Sequence, residues 1–586
     1  MIQAAGDKNV NSSADTTARQ ATGTATSQGQ AARPVIFGAL LLLCAVVFYY
    51  FAVLRIDYDK TALLDLRPYP DAAEYFAQAK ALLEGGRPSI QIGYDKLPSR
   101  YPPGYPVLML PWLKILPETK AILAPFRTNQ TIGLALLLGV FAIYFYEKRP
   151  IAGGCAAVLL STLPAYISFS RSSTSDISGA TLALSSIVCV YFGLSRKQRW
   201  PIYLAAILLG AGFNVRTQLV FMLPLLLAMA LLRREERIAV SLFHCGAVLL
   251  LFAIAASPIF FLNYAWFHDP FRMGYDFWIP GFSHVFSLEY VAKHARLLWE
   301  DVALQRQNFN VANVFGTGTH FVPAFIILAV TGLIVTKWNR FLLCALLAAL
   351  SLICGTAMHG FAEGRYYLPI LILLVAAAVS ALEWASKMIS GRRRQVLAWL
   401  IFAWFLFSCL GYPSQSGFPP KNGRSQAWDA LHFTEMPRQS PAFLAATELV
   451  KTIGEQPAVV LSDLNPVYLN AVLPGALIAA PIDGKHGYRF TDLWHYDALT
   501  AKDIVARALA NSVSVYALFI SQKNMGTEAE RLPKIEGYDW RPAGNSTHAS
   551  ILKLSPEQRT EPGAGPATAS EQSALATRQV ATGGNR

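Results

Sequence analysis

From residue 34 to about residue 412 the sequence is a succession of apolar runs, separated by short segments that carry lysine and arginine. A bilayer core about 30 Å thick asks for roughly 20 apolar residues per crossing helix, and run after run approaches that length. Composition agrees, with 53% hydrophobic and only 15% charged residues. The chain reads as a polytopic α-helical membrane protein, and an ordinary soluble fold is excluded.

A formal charge of +13 invites a nucleic-acid partner. The basic residues contradict that, because they fall in clusters between apolar runs and form no stripe interleaved with aromatic platforms. No nucleic acid is expected. Read as topology signals, the clusters end at Arg33, Arg149, Arg199, Arg237, Arg340 and Arg394. Placing all six on the cytoplasmic side requires about eleven spans, near 34–54, 130–146, 151–169, 177–194, 201–213, 219–232, 239–262, 320–336, 341–358, 366–386 and 395–412. The N-terminus is then cytoplasmic and the C-terminus external, which for a bacterial inner membrane means periplasmic. The runs at 201–213 and 219–232 are short for a full crossing, so broken helices are expected there.

The remaining segments divide by composition. Residues 1–33 and 556–586 are rich in Ala, Ser, Thr, Gln and Gly without an apolar face and read as disordered tails. Segments 55–129 and 263–319 become external loops, the first holding "YPPGYPVLMLPWLKIL", a proline-broken stretch suited to a helix lying in the interface. Between 430 and 555 helical and strand-like patterns alternate. "PAFLAATELVKTIGE", "AVVLSD", "NPVYLNAVL", "ALIAAPI", "AKDIVARALANS" and "SVYALFIS" follow in that order, which predicts an external α/β domain with a mostly parallel sheet. All seven cysteines lie in or beside apolar runs and none forms a C-x-x-C pair, so neither a disulfide framework nor a metal site is implied.

This threading brings Asp71, Glu74, Arg100, Asp176, Arg216, His268, Asp269 and Arg365 to or near the external face. Ionisable groups at the ends of spans are costly unless they serve a cavity or a pathway. Each also has a structural reading. In "PDAAEYFAQAKALLEGG", Asp71 and Glu74 have the spacing of a capping box; for Asp71 a cap and a catalytic carboxylate are compatible, and for Glu74 the cap is the better account. Asp176, after a run of Ser and Thr, fits a helix N-cap as well as a site role. Arg100 could snorkel to headgroups, and Arg365 could pair with Glu363 at the interface; Arg216, between apolar runs, favours function. His268 has no ligand partner at metal spacing, and Tyr101, Tyr105, Tyr366 and Tyr367 read as interface anchors.

The order of these motifs resembles the GT-C membrane glycosyltransferases, in the branch of the protein O-mannosyltransferases and lipid A aminoarabinose transferases. "PDAAEYFAQAKALLEGG" follows the first span; "SRYPPGYP", "SRSSTSDISGATLAL", "FNVRTQLVFMLP", "NYAWFHDPFRMGY" and "EGRYYLPI" follow in the family's order. The resemblance covers about residues 34–412 and implies transfer of a sugar from a polyprenyl-phosphate carrier to a lipid, glycan or protein acceptor at the external face. It implies Asp71 as general base, Arg100, Arg216 and Arg365 as holders of the carrier phosphate, and Glu74 and Asp176 as secondary acids. Where many relatives have adjacent acids, this chain has Asp71-Ala72, with Glu74 two residues further on, and no metal is assigned. The rival reading is a secondary transporter or lipid flippase, which predicts internal repeats and mid-span charges; neither is evident.

Overall fold

The computed structural model describes residues 33–55, 71–231, 238–278, 286–302, 322–335, 340–360, 364–388, 392–411, 441–454, 456–464, 466–472, 477–482, 501–519, 530, 532–545 and 549–557. The segments proposed as disordered tails, 1–33 and 556–586, fall almost wholly outside these residues.

Helix α1 is Arg33–Leu54. Next come α2 (Asp71–Leu83), a hairpin of β1 (Ile90–Ile92) and β2 (Asp95–Leu97), and α3 (Gly104–Ile115). The apolar bundle continues with α4 (Ala124–Tyr146), α5 (Pro150–Thr162), α6 (Pro164–Ser170), α7 (Asp176–Ser195), α8 (Trp200–Val215), α9 (Leu223–Leu231) and α10 (Ile238–Phe267). Two shorter helices, α11 (Gly274–Trp278) and α12 (Glu289–Val302), precede α13 (Pro323–Val335), α14 (Arg340–Ala357), α15 (Leu368–Met388) and α16 (Arg392–Gly411).

Each of the expected apolar segments coincides with a helix or a closely joined helix pair. Among the described residues five helices are long and apolar enough to cross a membrane alone, and α5 with α6 makes a sixth if that bent pair is one span. The bend is 70°. It falls where Pro164, lacking an N–H, cannot continue the ladder. Five further apolar helices are only 10–17 residues long, among them the pair expected to be broken around residues 201–232. There the chain leaves α8 at Arg216, makes a 3₁₀ turn over Thr217–Met222 and re-enters as α9.

One break is repaired by a side chain. Pro258 lies inside α10 and opens its hydrogen-bond ladder. The Asn214 amide fills the gap: its Nδ2 donates to Ala255 O at 2.8 Å and its Oδ1 accepts from the Ile259 N–H at 2.9 Å. The end of α8 is thereby locked to the middle of α10, two residues before Arg216.

The C-terminal part contains α17 (Pro441–Ile453), β3 (Ala458–Ser462), α18 (Pro466–Val472), β4 (Leu477–Pro481), α19 (Ala501–Ala510), β5 (Ser514–Phe519), β6 (Tyr538–Asn545) and β7 (Ser550–Pro556). The sheet order is β4-β3-β5-β7-β6, parallel across the first three strands and antiparallel across the last three. β3 lies between β4 and β5 and is buried throughout, as a parallel strand covered on both faces must be. The expected mostly parallel sheet is therefore mixed, because β6 and β7 form a terminal hairpin that the sequence reading did not include. The sheet sits on the loop region that carries α2: Gly93 N–H donates to Ala479 O at 2.8 Å and Asn470 Nδ2 to Gln91 O at 2.8 Å. One apolar cluster joins Ala72 and Phe76 of α2 to Ile90, Val460 and Val467.

Candidate active site

Helix α2 presents Asp71, Glu74, Tyr75 and Gln78 at i, i+3, i+4 and i+7, one face of a helix. That face is buried: Asp71 is 5% exposed, and Glu74 and Gln78 are 0%. The Glu74 carboxylate accepts Arg100 Nε at 2.8 Å and Arg100 Nη2, while its second oxygen accepts Ser99 Oγ at 2.7 Å and the Arg100 N–H at 2.9 Å. Gln78 Nε2 donates to Ser99 Oγ at 2.9 Å and to Tyr101 O at 3.3 Å. Trp278 Nε1 holds Pro98 O at 2.9 Å. Gly274 passes so close to Ser99 O that a Cβ would stand 1.9 Å from it, so this contact requires glycine. The loop from Pro98 to Tyr101 is thus held from three sides.

Asp71 is engaged differently. It accepts the Tyr101 hydroxyl on one oxygen and Arg365 Nη1 at 2.7 Å on the other. Asp176, the first residue of α7, accepts Arg216 Nη1 and, at 2.5 Å, Thr174 Oγ1. Gly179, one turn further, makes room for the Arg216 stem: a Cβ there would lie 2.6 Å from Arg216 Cδ. The serine-rich turn before α7 is held by Asn129 Nδ2, which donates to Ser172 O at 2.8 Å and Thr174 O at 2.7 Å, and Tyr75 OH meets Ser175 Oγ at 3.0 Å. The Tyr366 ring lies under both the Arg216 and Arg365 guanidinium groups, at 5.4 and 5.5 Å. His294 of α12 steadies the same turn, with Nδ1 2.8 Å from Tyr367 OH and Nε2 2.9 Å from His359 O.

These elements surround a cavity of about 630 Å³. Asp71, Arg100, Arg216, Arg365 and Tyr366 border it; Glu74 and Asp176 do not, and stand behind the arginines they pair with. Aromatic side chains including Trp266, Phe267 and Tyr275 supply much of the rest of the wall. Burial pushes the Asp71 carboxyl up, but Arg365, the Tyr101 hydroxyl and Arg100 outweigh it and hold Asp71 below the ordinary carboxylate value. Burial, and after it the Asp71 charge, push the Tyr101 phenol well up, so it stays a proton donor to that carboxylate.

All six candidate residues come together, and several act otherwise than their local sequence implied. Glu74 spends its carboxylate on Arg100 and Ser99, not on capping a helix start. Asp176 makes no cap bond, since Ser175 is the N-cap residue, and reaches Arg216 instead. Arg100 is 5% exposed and does not snorkel. Tyr101, Tyr105 and Tyr367 are buried, so they are not interface anchors. Asp269 caps its own turn through the Phe271 N–H, and neighbouring His268 takes a left-handed φ of 55°. Ser99, Gln78, Asn129, Asn214 and Gly179 were not singled out in the sequence. For Gln78 the signal was present, seven residues after Asp71 on the same helical face; for Asn214 it lay in a proline 44 residues away. Among the described residues no three His, Cys, Asp or Glu side chains gather closely enough to hold a metal ion.

The family profile described as dolichyl-phosphate-mannose-protein mannosyltransferase matches residues 127–261, a segment that contains Asp176 and Arg216. No curated protein sequence matches the chain. Among solved structures, ArnT from Cupriavidus metallidurans bound to undecaprenyl phosphate has a TM-score of 0.56 at 12% identity, covering 88% of this chain and 97% of that one. Its apo form has a TM-score of 0.52 with the same identity and coverage. AglB from Archaeoglobus fulgidus, an oligosaccharyltransferase in complex with an inhibitory peptide and a dolichol-phosphate, has a TM-score of 0.45 at 14% identity, covering 90% of this chain and 75% of that one. The fold is similar to that of ArnT, and the profile match adds a likeness in sequence to the protein mannosyltransferases over residues 127–261.

Proposed function

We propose that the protein transfers a sugar from a polyprenyl-phosphate carrier to a hydroxyl-bearing lipid, glycan or protein acceptor, with inversion at the anomeric carbon. About eleven spans with the N-terminus cytoplasmic would place the cavity on the external face. The observation that carries this reading is the division of labour among the three ion pairs. Asp71 is the one acid among the described residues that borders the cavity, whereas Glu74 and Asp176 serve their arginines from behind.

In the transfer step the acceptor oxygen bonds to the anomeric carbon as the bond from that carbon to the phosphate oxygen breaks. The acceptor proton passes to the Asp71 carboxylate, and the leaving phosphate keeps the electron pair. Arg216 and Arg365, set over one Tyr366 ring, and Arg100, fixed by Glu74, are placed to meet that growing charge, where guanidinium groups offer fork-shaped donors and a permanent charge. Arg365 has two claims on it. In the free site it pairs with Asp71 and weakens it as a base; an incoming phosphate competes for the same guanidinium and lets the carboxylate become more basic. Base strength is thereby coupled to occupation by the donor.

The test uses cells lacking the protein, complemented with wild type or Asp71→Asn at matched membrane levels. Asparagine keeps the hydrogen-bonding shape of the residue but is no carboxylate base. Mass spectrometry of their lipids and surface glycans is expected to show a sugar modification restored by wild type and absent with Asp71→Asn. Equal restoration by both would end this reading.

A further inference from the structure

Two uncharged buried side chains on the cavity wall carry a polar atom with no hydrogen-bonding partner among the described residues: Gln78 Oε1 and Thr356 Oγ1. They are 0% and 3% exposed. Trp266, whose Nε1 is likewise unmatched, borders the same space. Buried polar atoms are normally satisfied, and leaving one unmatched costs stability, so each such atom asks for an explanation. Three on one cavity share one.

The Gln78 amide is oriented by its own bonds. Tyr101 O accepts only, so the nitrogen must face it, and the same nitrogen donates to Ser99 Oγ. The oxygen is left over, and it accepts only. Trp266 Nε1 donates only, and the Thr356 hydroxyl does either. A phosphate or carboxylate cannot satisfy Gln78 Oε1, because it brings no proton, and an alkyl chain satisfies none of the three. A ring bearing several hydroxyls satisfies all of them. Position assigns that ring to the donor. Gln78 bonds the residue before Arg100, and Thr356 lies at the end of α14 just ahead of the turn that carries Arg365, so both flank the arginines. Along α2, Gln78 is seven residues from Asp71, about 10 Å, a separation that a single sugar ring with its hydroxyls can bridge.

We infer that Gln78 and Thr356, with Trp266, form the subsite for the hydroxyl groups of the transferred sugar and determine which sugar is accepted. This rests on the proposed reading of the cavity as a sugar-transfer site. A site built to bond a hydroxyl discriminates strongly against a ligand that lacks it, because its polar atoms are then stranded.

The experiment measures affinity of the full chain in lipid nanodiscs for undecaprenyl phosphate and for its mannosyl, glucosyl and arabinosyl derivatives. Wild type is expected to bind at least one derivative about tenfold more tightly than the bare carrier, the worth of one or two satisfied hydrogen bonds. Thr356→Val removes only the unpartnered hydroxyl from an isosteric side chain. It is expected to erase most of that advantage without lowering thermal stability, and Thr356→Ser to restore it. Gln78→Leu should erase it too, with some loss of carrier affinity through Ser99. The inference is overturned if both variants keep the wild-type advantage, or if no derivative exceeds the bare carrier. A preserved advantage with a weakened KM for the acceptor would assign these atoms to the acceptor and overturn the donor assignment. Failure of the bare carrier to bind would instead remove the reading of the cavity on which the subsite depends.

Discussion

Arg365 and Arg149 stand near opposite ends of α15, each paired with an acid, and their surroundings differ. Arg149, between α4 and α5, meets Glu383 through its Nε at 2.9 Å and its Nη2. Glu383 is 18 residues beyond Arg365, about 27 Å along a helix. The Arg149 pair joins two helix ends, stays 34% and 29% exposed, and does not border the cavity that Arg365 lines. The Arg365 pair is at most 10% exposed, shares a Tyr366 ring with a second arginine and faces empty space. The same chemistry thus serves as a staple at one end and as a site at the other. Burial without a cavity would make the second a stability liability, since two charges removed from water are rarely repaid by their attraction alone. Three such pairs around one hollow are better explained by a charged ligand than by stability.

The largest effect that separates the two ends is expected from Asp71→Asn. Turnover should fall about 10²–10⁴-fold, the usual worth of a general base, with a loss of stability as well, because Arg365 is left without its carboxylate; turnover within threefold of wild type would remove Asp71 from the chemistry. Glu74→Gln should act on the fold as well as the site, because it strands the buried Arg100 charge, with a destabilisation of about 3–5 kcal/mol by denaturant titration. Replacing both partners, Glu74→Gln with Arg100→Met, should recover much of that stability and none of the activity.

A subtler effect lies in pH. Arg365 helps hold the Asp71 carboxyl low in the free site, so Asp71 stays ionised, and ready as base, until pH falls below the ordinary carboxylate range. Donor phosphate draws on Arg365 and lets that carboxyl rise. The acid limb of kcat should therefore lie at higher pH than that of kcat/KM, and Arg365→Met should move the kcat/KM limb upward. Coincident limbs in wild type would contradict the sharing of Arg365.

Gly179→Ala should push the Arg216 stem off α7 and raise KM for the donor about tenfold, with a smaller change in kcat. Least of all, Arg149→Gln should cost about 0–1 kcal/mol and leave turnover unchanged, as a partly exposed pair does. A large loss of turnover there would erase the distinction between staple and site.

Much of this was legible in the sequence because the bilayer imposes a simple code. Apolar runs located the helices, and basic clusters supplied an orientation that brought Asp71, Glu74, Asp176, Arg100, Arg216 and Arg365 toward one face. Pairing was not legible. Local spacing made Glu74 a cap and put Arg365 beside Glu363, yet Glu74 pairs with Arg100 and Arg365 with Asp71, 294 residues away in sequence. Residue 363 itself lies outside the described residues. A capping box and a buried ion pair share one sequence pattern, and only tertiary packing chooses between them. The Asn214 plug in α10 was equally hidden, because it exists only where two helices meet at a proline. The terminal hairpin of β6 and β7 had a weak local sign in the turn-forming residues around Gly544 and Asn545. The parallel strands announced themselves by continuous apolar runs, whereas "YDWRPAGN" has none.

The most direct test of the central claim is carrier binding at the two ends. Undecaprenyl phosphate would be titrated into wild type, Arg365→Gln and Arg149→Gln in nanodiscs while thermal unfolding is followed. The account predicts that the carrier raises the midpoint of wild type and of Arg149→Gln alike and leaves Arg365→Gln nearly unmoved. Equal shifts in all three proteins would contradict it, because the buried arginine would then be no more a ligand for phosphate than the staple at the far end of α15.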